Sequence, residues 1–219
     1  MLAIACPNNA GAQRYYSPNV SIGGKAGATM SEISFSPSIR QKMLQGMMMG
    51  VTFRYTEERN FGLIAEFNLE QRGWKEDFEE HPFEYSRTLT YLHIPVMTHI
   101  YFGGRKVKGF VNLGPSVSYM IASKISANFD YNDIKSVAGF PLQNRMTEQL
   151  YTPIKNKMDY GINGGLGMEY FINKRNSIML EARLYYGLGN IFPAAKADTF
   201  AASRSMCIQA TLGYMFRIK

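Results

Sequence analysis

The sequence predicts an all-β chain, closed as an eight-stranded antiparallel up-and-down transmembrane β-barrel with long extracellular loops and short periplasmic turns. Three observations predict it. Eight segments alternate apolar and polar side chains with period two, the mark of a strand with two unlike faces. The connections between them are alternately long and short, so all the long ones fall at one end, as in bacterial outer-membrane barrels. The polar face is rich in Gly and Ser, whereas the apolar face carries large aromatics.

The segments run in order as follows. Around residues 19–30, Val20, Ile22, Ala26 and Met30 oppose Ser21, Lys25 and Thr29. Around 46–55, Met47, Met49, Val51, Phe53 and Tyr55 oppose Gly50, Thr52 and Arg54. Around 61–74, Phe61, Leu63, Ala65, Phe67 and Leu69 oppose Glu66, Asn68, Glu70 and Arg72. Around 86–102, Leu92, Ile94, Val96, Ile100 and Phe102 oppose Tyr91, His93, Met97 and His99. Around 109–122, Val111, Leu113, Val117, Tyr119 and Ile121 oppose Asn112, Gly114, Ser116 and Ser118. Around 158–172, Met158, Tyr160, Ile162, Leu166, Met168, Tyr170 and Ile172 oppose Asp159, Asn163 and Glu169. Around 177–190, Ile178, Leu180, Ala182, Leu184, Tyr186 and Leu188 oppose Met179, Glu181, Arg183 and Tyr185. The last, 204–219, sets Met206, Ile208, Ala210, Leu212, Tyr214, Phe216 and Ile218 against Ser205, Gln209, Thr211 and Arg217.

Bulk composition fits this reading. The 219 residues suffice for one large β-domain, and 46% hydrophobic with 13% aromatic content favours packed strands over disorder. No uninterrupted apolar run of about 18 residues occurs, which excludes a transmembrane helix but not a barrel, whose strands of about 10 residues give a weaker signal. The net charge is +7, yet the bases form no run, so nucleic acid is not an expected partner. Residues 1–12 read as a truncated signal-peptide remnant, with "AGAQ" at residues 10–13 as its cleavage site, and residues 13–219 as the barrel domain. Cys6 would leave with that remnant, and Cys207 alone builds no disulfide framework.

Two features decide which face looks inward. Gly23, Gly27, Gly114, Gly161, Gly165, Gly167, Gly187 and Gly213 crowd the polar face. A solvated exterior has no use for them, whereas an eight-stranded lumen is narrow and needs small residues among a few long ones. Tyr55, Phe61, Phe102, Tyr119, Tyr160, Tyr170, Tyr186, Tyr214 and Phe216 sit toward strand ends on the apolar face, as aromatic girdles at the lipid–water boundaries would. The apolar face therefore meets lipid. Lys25, Arg54, Glu66, Glu70, Arg72, His93, Asp159, Glu169, Glu181, Arg183 and Arg217 then share the lumen, where mutual pairing offsets their desolvation. The expectation is a plug that fills and stiffens the barrel.

Little else in the sequence carries chemistry. His93 and His99 share the lumen face and lie within reach of Glu66 or Glu70, the raw material of a Ser–His–carboxylate set in a lipid-modifying barrel enzyme. A structural role is the expectation, so no catalytic residue is assigned. No pattern for a metal or phosphate ligand is present, and no cofactor or small-molecule substrate is expected. The longest connection, about 123–157, carries Phe129, Tyr131, Phe140 and Tyr151 with mixed charge, a composition suited to contact with a partner or to a loose outer cap.

"LEQRGW" at residues 69–74, "YLHIPVM" at 91–97 and "NLGPSVSYMI" at 112–121 resemble the Bacteroidetes-type PorT family of outer-membrane β-barrels. The likeness extends over nearly the whole chain after Gln13. It departs at His93, where the family commonly has Glu. The resemblance implies the outer membrane of a Gram-negative bacterium and a non-enzymatic accessory role in type IX protein secretion. Its implied partners are outer-membrane lipid and other secretion-system proteins. A surface adhesin or ligand-binding barrel is the alternative.

Overall fold

The computed structural model describes residues 18–57, 60–79, 81–141, 145–194 and 199–218. The remnant assigned to residues 1–12, the "AGAQ" site and Cys6 lie outside them. The strands are β1 (Asn19–Ser36), β2 (Gln41–Lys42), β3 (Leu44–Thr56), β4 (Phe61–Glu76), β5 (Tyr85–Gly103), β6 (Val107–Ala127), β7 (Met158–Phe171), β8 (Asn176–Gly187) and β9 (Ala202–Arg217). Apart from the two-residue β2, which pairs with the end of β4, they form one antiparallel ring in chain order. The ring closes where β1 pairs with β9, Ile22 opposite Phe216 and Met30 opposite Ile208. Closure leaves no open edge, as lipid requires.

The connections sort as the sequence indicates. The links β3–β4, β5–β6 and β7–β8 are short and fall at one end, and the links β1–β3, β4–β5, β6–β7 and β8–β9 are longer and fall at the other. The longest holds a 3-10 turn, Ile134–Ser136, and one turn of α-helix, α1 (Glu148–Tyr151). No helix among the described residues is long and apolar enough to cross a membrane.

The faces also fall as read. Met47, Met168 and Leu166 point outward, the last 67% exposed, while Glu66, Glu70, Arg72, Arg183 and Glu181 are buried inside. Glycine makes the room. A Cβ on Gly161 would stand 2.7 Å from the ring of Tyr185, and one on Gly167 would collide with Phe110. Large inward side chains thus lie flat across glycine on the neighbouring strand.

Strand length is where the structure departs from the sequence reading. β1 continues to Ser36 rather than stopping near residue 30, and β6 runs to Ala127 rather than 122, while β8 stops at Gly187 rather than 190. The extensions were hidden because the alternation inverts there. In β1, Glu32 and Ser34 face out while Ile33 and Phe35 are buried; the same inversion runs through the first residues of β5, already expected as strand, where Ser86, Thr88 and Thr90 face out while Tyr85, Leu89 and Tyr91 are buried. Below this level the outside is lipid and the inside ionic; above it the outside is water and the inside apolar. The lipid-facing belt therefore ends near Met30, Leu69, Ile121, Met158 and Tyr186, and the strand ends beyond it, including Lys75 and Glu76 of β4, stand outside the membrane-spanning part. A bulge between Thr90 and Tyr91, where β6 inserts Ile121 as an extra residue, also resets the faces of β6 at that level.

Candidate functional site

The interior is a stack of three polar layers between two apolar closures. At the centre, Arg183 of β8 grips both oxygens of Glu66 on β4 at 2.8 and 2.9 Å. It also bonds Glu181 at 2.8 Å. Lys25 of β1 reaches Glu66 at 2.7 Å and Glu181 at 3.8 Å. Asn68 and Asn112 donate to Glu66 and Glu181, at 2.9 and 2.7 Å. His99 contacts the side-chain oxygen Oδ1 of Asn112 through Nδ1. Five strands, β1, β4, β5, β6 and β8, are joined by this one cluster.

Toward the short turns, Arg54 of β3 makes a second two-pronged pair, with Glu169 of β7 at 2.9 and 3.0 Å. The hydroxyls of Tyr101 and Ser177 donate to the same carboxylate. Beneath it Tyr101, Phe110, Met179 and Met215 form a small apolar cluster at the periplasmic end. Toward the long loops, Arg72 bonds Glu70 at 2.8 Å and lies 3.6 Å from Asp159. Its guanidinium stacks 3.8 Å above the Tyr185 ring, an arrangement favoured by the ring quadrupole. Gln209 donates to Glu70, and Tyr185 to Asp159, each at 2.8 Å.

Ten of the eleven residues assigned to the lumen thus meet in these layers. Arg217 stands apart, half-buried at the periplasmic mouth, outside the pairs resolved among the described residues. Four cations (Lys25, Arg54, Arg72, Arg183) face five carboxylates (Glu66, Glu70, Asp159, Glu169, Glu181), a near balance that buried charge requires. Reading by charge alone missed the neutral members. Asn68, Asn112, Ser177, Tyr101, Tyr185 and Gln209 complete the hydrogen bonding, and their inward parity was the available signal.

The histidine geometry bears on catalysis. His93 Nδ1 lies 2.8 Å from the Ser118 hydroxyl, and its Nε2 lies 4.0 Å from Glu70, so a Ser–His–Glu set is present in outline. But Arg72 donates to the same Nδ1, also at 2.8 Å, which occupies the lone pair a general base would use. All three side chains face the filled lumen and are buried. No group of metal-ligating side chains of the required size occurs among the described residues.

Above the ionic layers lies a second core that the sequence reading did not foresee. Ile33 and Phe35 of β1, Trp74 of β4, and Tyr85, Leu89 and Tyr91 of β5 pack against Phe78, Ile134, Phe140, Leu150, Ile191, Phe192 and Phe200 from the long connections. Phe35 meets Trp74 edge-on at 5.6 Å and Phe192 in a stack at 6.1 Å. Tyr85 donates to the Leu150 carbonyl, and Arg87 to that of Thr152, each fastening the longest loop over the mouth. The aromatics proposed for partner contact are largely consumed here: Phe140 is buried, Phe129 and Tyr131 pack against the same core, and Tyr151 alone of the four is exposed. The loop is a packed lid and not a loose cap.

At the rim of this lid, Glu76 accepts from Gln149 Nε2 at 3.1 Å and lies 3.8 Å from the Arg145 guanidinium. Burial pushes its carboxyl up to about 7, against the smaller opposing pull of Gln149 and Arg145.

The comparisons agree with this geometry. A family model described as outer membrane protein beta-barrel domain matches residues 12–193. The outer membrane protein OprG from Pseudomonas aeruginosa is similar over 91% of this chain and 95% of its own, at 12% identity and a TM-score of 0.54, a likeness of fold alone. Ail, the attachment invasion locus protein of Yersinia pestis, aligns over 90% of this chain and 98% of its own, with 11% identity and a TM-score of 0.41. Outer Membrane Protein W of E. coli aligns over 90% and 97%, with 16% identity and a TM-score of 0.43. No curated protein matches the chain.

Proposed function

We propose, for a chain that belongs to the family of outer membrane protein β-barrel domains and resides in the outer membrane of a Gram-negative bacterium, that it acts by contact rather than by conduction or catalysis. The observation that carries this reading is the filled interior. Two bidentate Arg–Glu pairs, Arg183–Glu66 and Arg54–Glu169, cross the lumen, an aromatic lid covers one mouth and Tyr101, Phe110, Met179 and Met215 crowd the other. A solute would have to break buried ion pairs, each costing about 3–5 kcal/mol when one partner is removed. The surfaces left for work are the outer face of the lid, the periplasmic turns and the lipid-facing wall.

The finer assignment is an accessory part of a secretion machine, on the strength of the PorT-like stretches "YLHIPVM" and "NLGPSVSYMI". Deleting the gene and measuring the proteins of the medium and outer membrane by mass spectrometry tests it. Exported proteins missing from the medium, restored by the wild-type gene, support the role; an unchanged secretome ends it. The second reading is a surface adhesin, favoured by an outer lid whose described residues pack on a shared aromatic core and leave Tyr151 exposed. Host-protein binding that survives gene deletion would count against that alternative.

A further inference from the structure

We propose that the outer rim of the wall formed by β6, β7 and β8 holds the phosphorylated headgroup of a glycolipid from the surrounding membrane. A cavity of about 580 Å³ opens where the longest loop re-enters the barrel at β7. Lys155, Asn156, Lys157, Met158, Tyr160 and Asn190 are among its lining residues, and no acidic residue lines it among the described residues. Its volume is that of a small-ligand site.

The cavity stands on pinned backbone. Asn156 donates its side-chain amide to the Asn190 carbonyl at 2.8 Å, tying the two loop stems together. The Met120 amide donates to the Lys157 carbonyl at 2.7 Å, and the Leu188 amide to that of Tyr160 at 2.8 Å. Both lysine side chains are exposed, and neither has an ion pair among the described residues. Lys42 and Lys75, at the same end of the barrel, sit beside the carboxylates of Asp77 and Glu84 instead.

Position decides what the two ammonium groups meet. Directly below them, Met158 is 66% and Tyr160 56% exposed on the outer wall, and Tyr119 of β6 stands opposite Met158. These residues mark the top of the lipid-facing belt, where an aromatic ring sits at headgroup depth. Lys124, exposed on β6 above the belt and opposite Thr88 of β5, lies outside the cavity. Compact ammonium charges suit phosphate, and the apolar wall beneath suits acyl chains. A soluble anion would use only the upper half of the site. With Asn156 Nδ2 and Asn190 Oδ1 bonded within the chain, Asn156 Oδ1 and Asn190 Nδ2 are the amide atoms that would meet sugar hydroxyls. The inference is independent of the secretion role.

The test uses the purified full-length chain in detergent micelles, with ligand retention read by native mass spectrometry and thermal unfolding. The probes are bisphosphorylated lipid A, its dephosphorylated form, phosphatidylglycerol and inorganic phosphate. Bisphosphorylated lipid A is expected to be retained and to raise Tm. Removing its phosphates, or introducing Lys155→Gln with Lys157→Gln, should weaken retention about tenfold or more, the size of effect expected when a charged hydrogen bond is removed. The double variant should insert and migrate as the folded barrel, because both side chains are exposed. Equal retention of the dephosphorylated lipid, or by the double variant, overturns the proposal. So does equal stabilisation by inorganic phosphate, which would make the ligand a free anion, or by phosphatidylglycerol, which would remove the sugar.

Discussion

Arg183 and Glu66, 117 residues apart in the chain, meet across the lumen in a bidentate ion pair of 2.8 and 2.9 Å. β8 and β4 are not neighbours in the ring, so this pair braces the cylinder across its width, where ladder hydrogen bonds act only along its circumference. Lys25, Glu181, Asn68 and Asn112 gather around it, which makes it the centre of the plug.

Breaking one side of that pair should be worse than removing both. Arg183→Met leaves Glu66 and Glu181 with Lys25 as their remaining cation and is expected to cost about 3–5 kcal/mol. Adding Glu66→Met to it should recover part of the loss, because an apolar pair of similar volume replaces two desolvated charges. Urea unfolding in lipid vesicles gives the cycle. Strictly additive losses would mean that the two side chains do not form a coupled pair.

Trp74 reports on the lid. It is the single tryptophan of the chain, wholly buried between Phe35 and Phe192 and 5.7 Å from the Arg87 guanidinium. Its emission should be blue-shifted and resist acrylamide, and Trp74→Ala should cost about 3–5 kcal/mol as a large core truncation. Water-like emission from the inserted barrel would show the loops to be unpacked.

The lid should also loosen with rising pH. The folded-state value of Glu76, about 7, lies above its ordinary value of 4.5 because burial disfavours the charged form. Its contribution is therefore fully present below about pH 4.5 and is lost as the pH rises through about 7. Proteolytic nicking of the loop over 128–157 should accelerate across that window in the wild type. In Glu76→Gln this dependence should vanish; an unchanged profile would assign the pH response to another group.

Much of this molecule was legible from parity. Outward Met49, Leu166 and Leu212 and inward Arg54, Glu169 and Glu181 were placed by alternation alone, because one face had to meet lipid along the whole belt. Small inward residues were legible for the same reason: Gly161 must be small where Tyr185 crosses it. The lid was not, since its residues obey a different rule. Above Met30 the same strand turns Ile33 and Phe35 inward and Glu32 outward, so a pattern read as a strand end was a change of solvent. Nor could alternation choose partners. It put Arg72 and Asp159 on the inner face but could not show that Tyr185 would stack beneath the one and bond the other.

Planar-bilayer recording from the purified chain tests the filled interior most directly. With the ionic layers and both closures in place, the inserted barrel should pass no discrete current. Reproducible single-channel steps from the wild type would contradict a closed cylinder and, with it, action by contact.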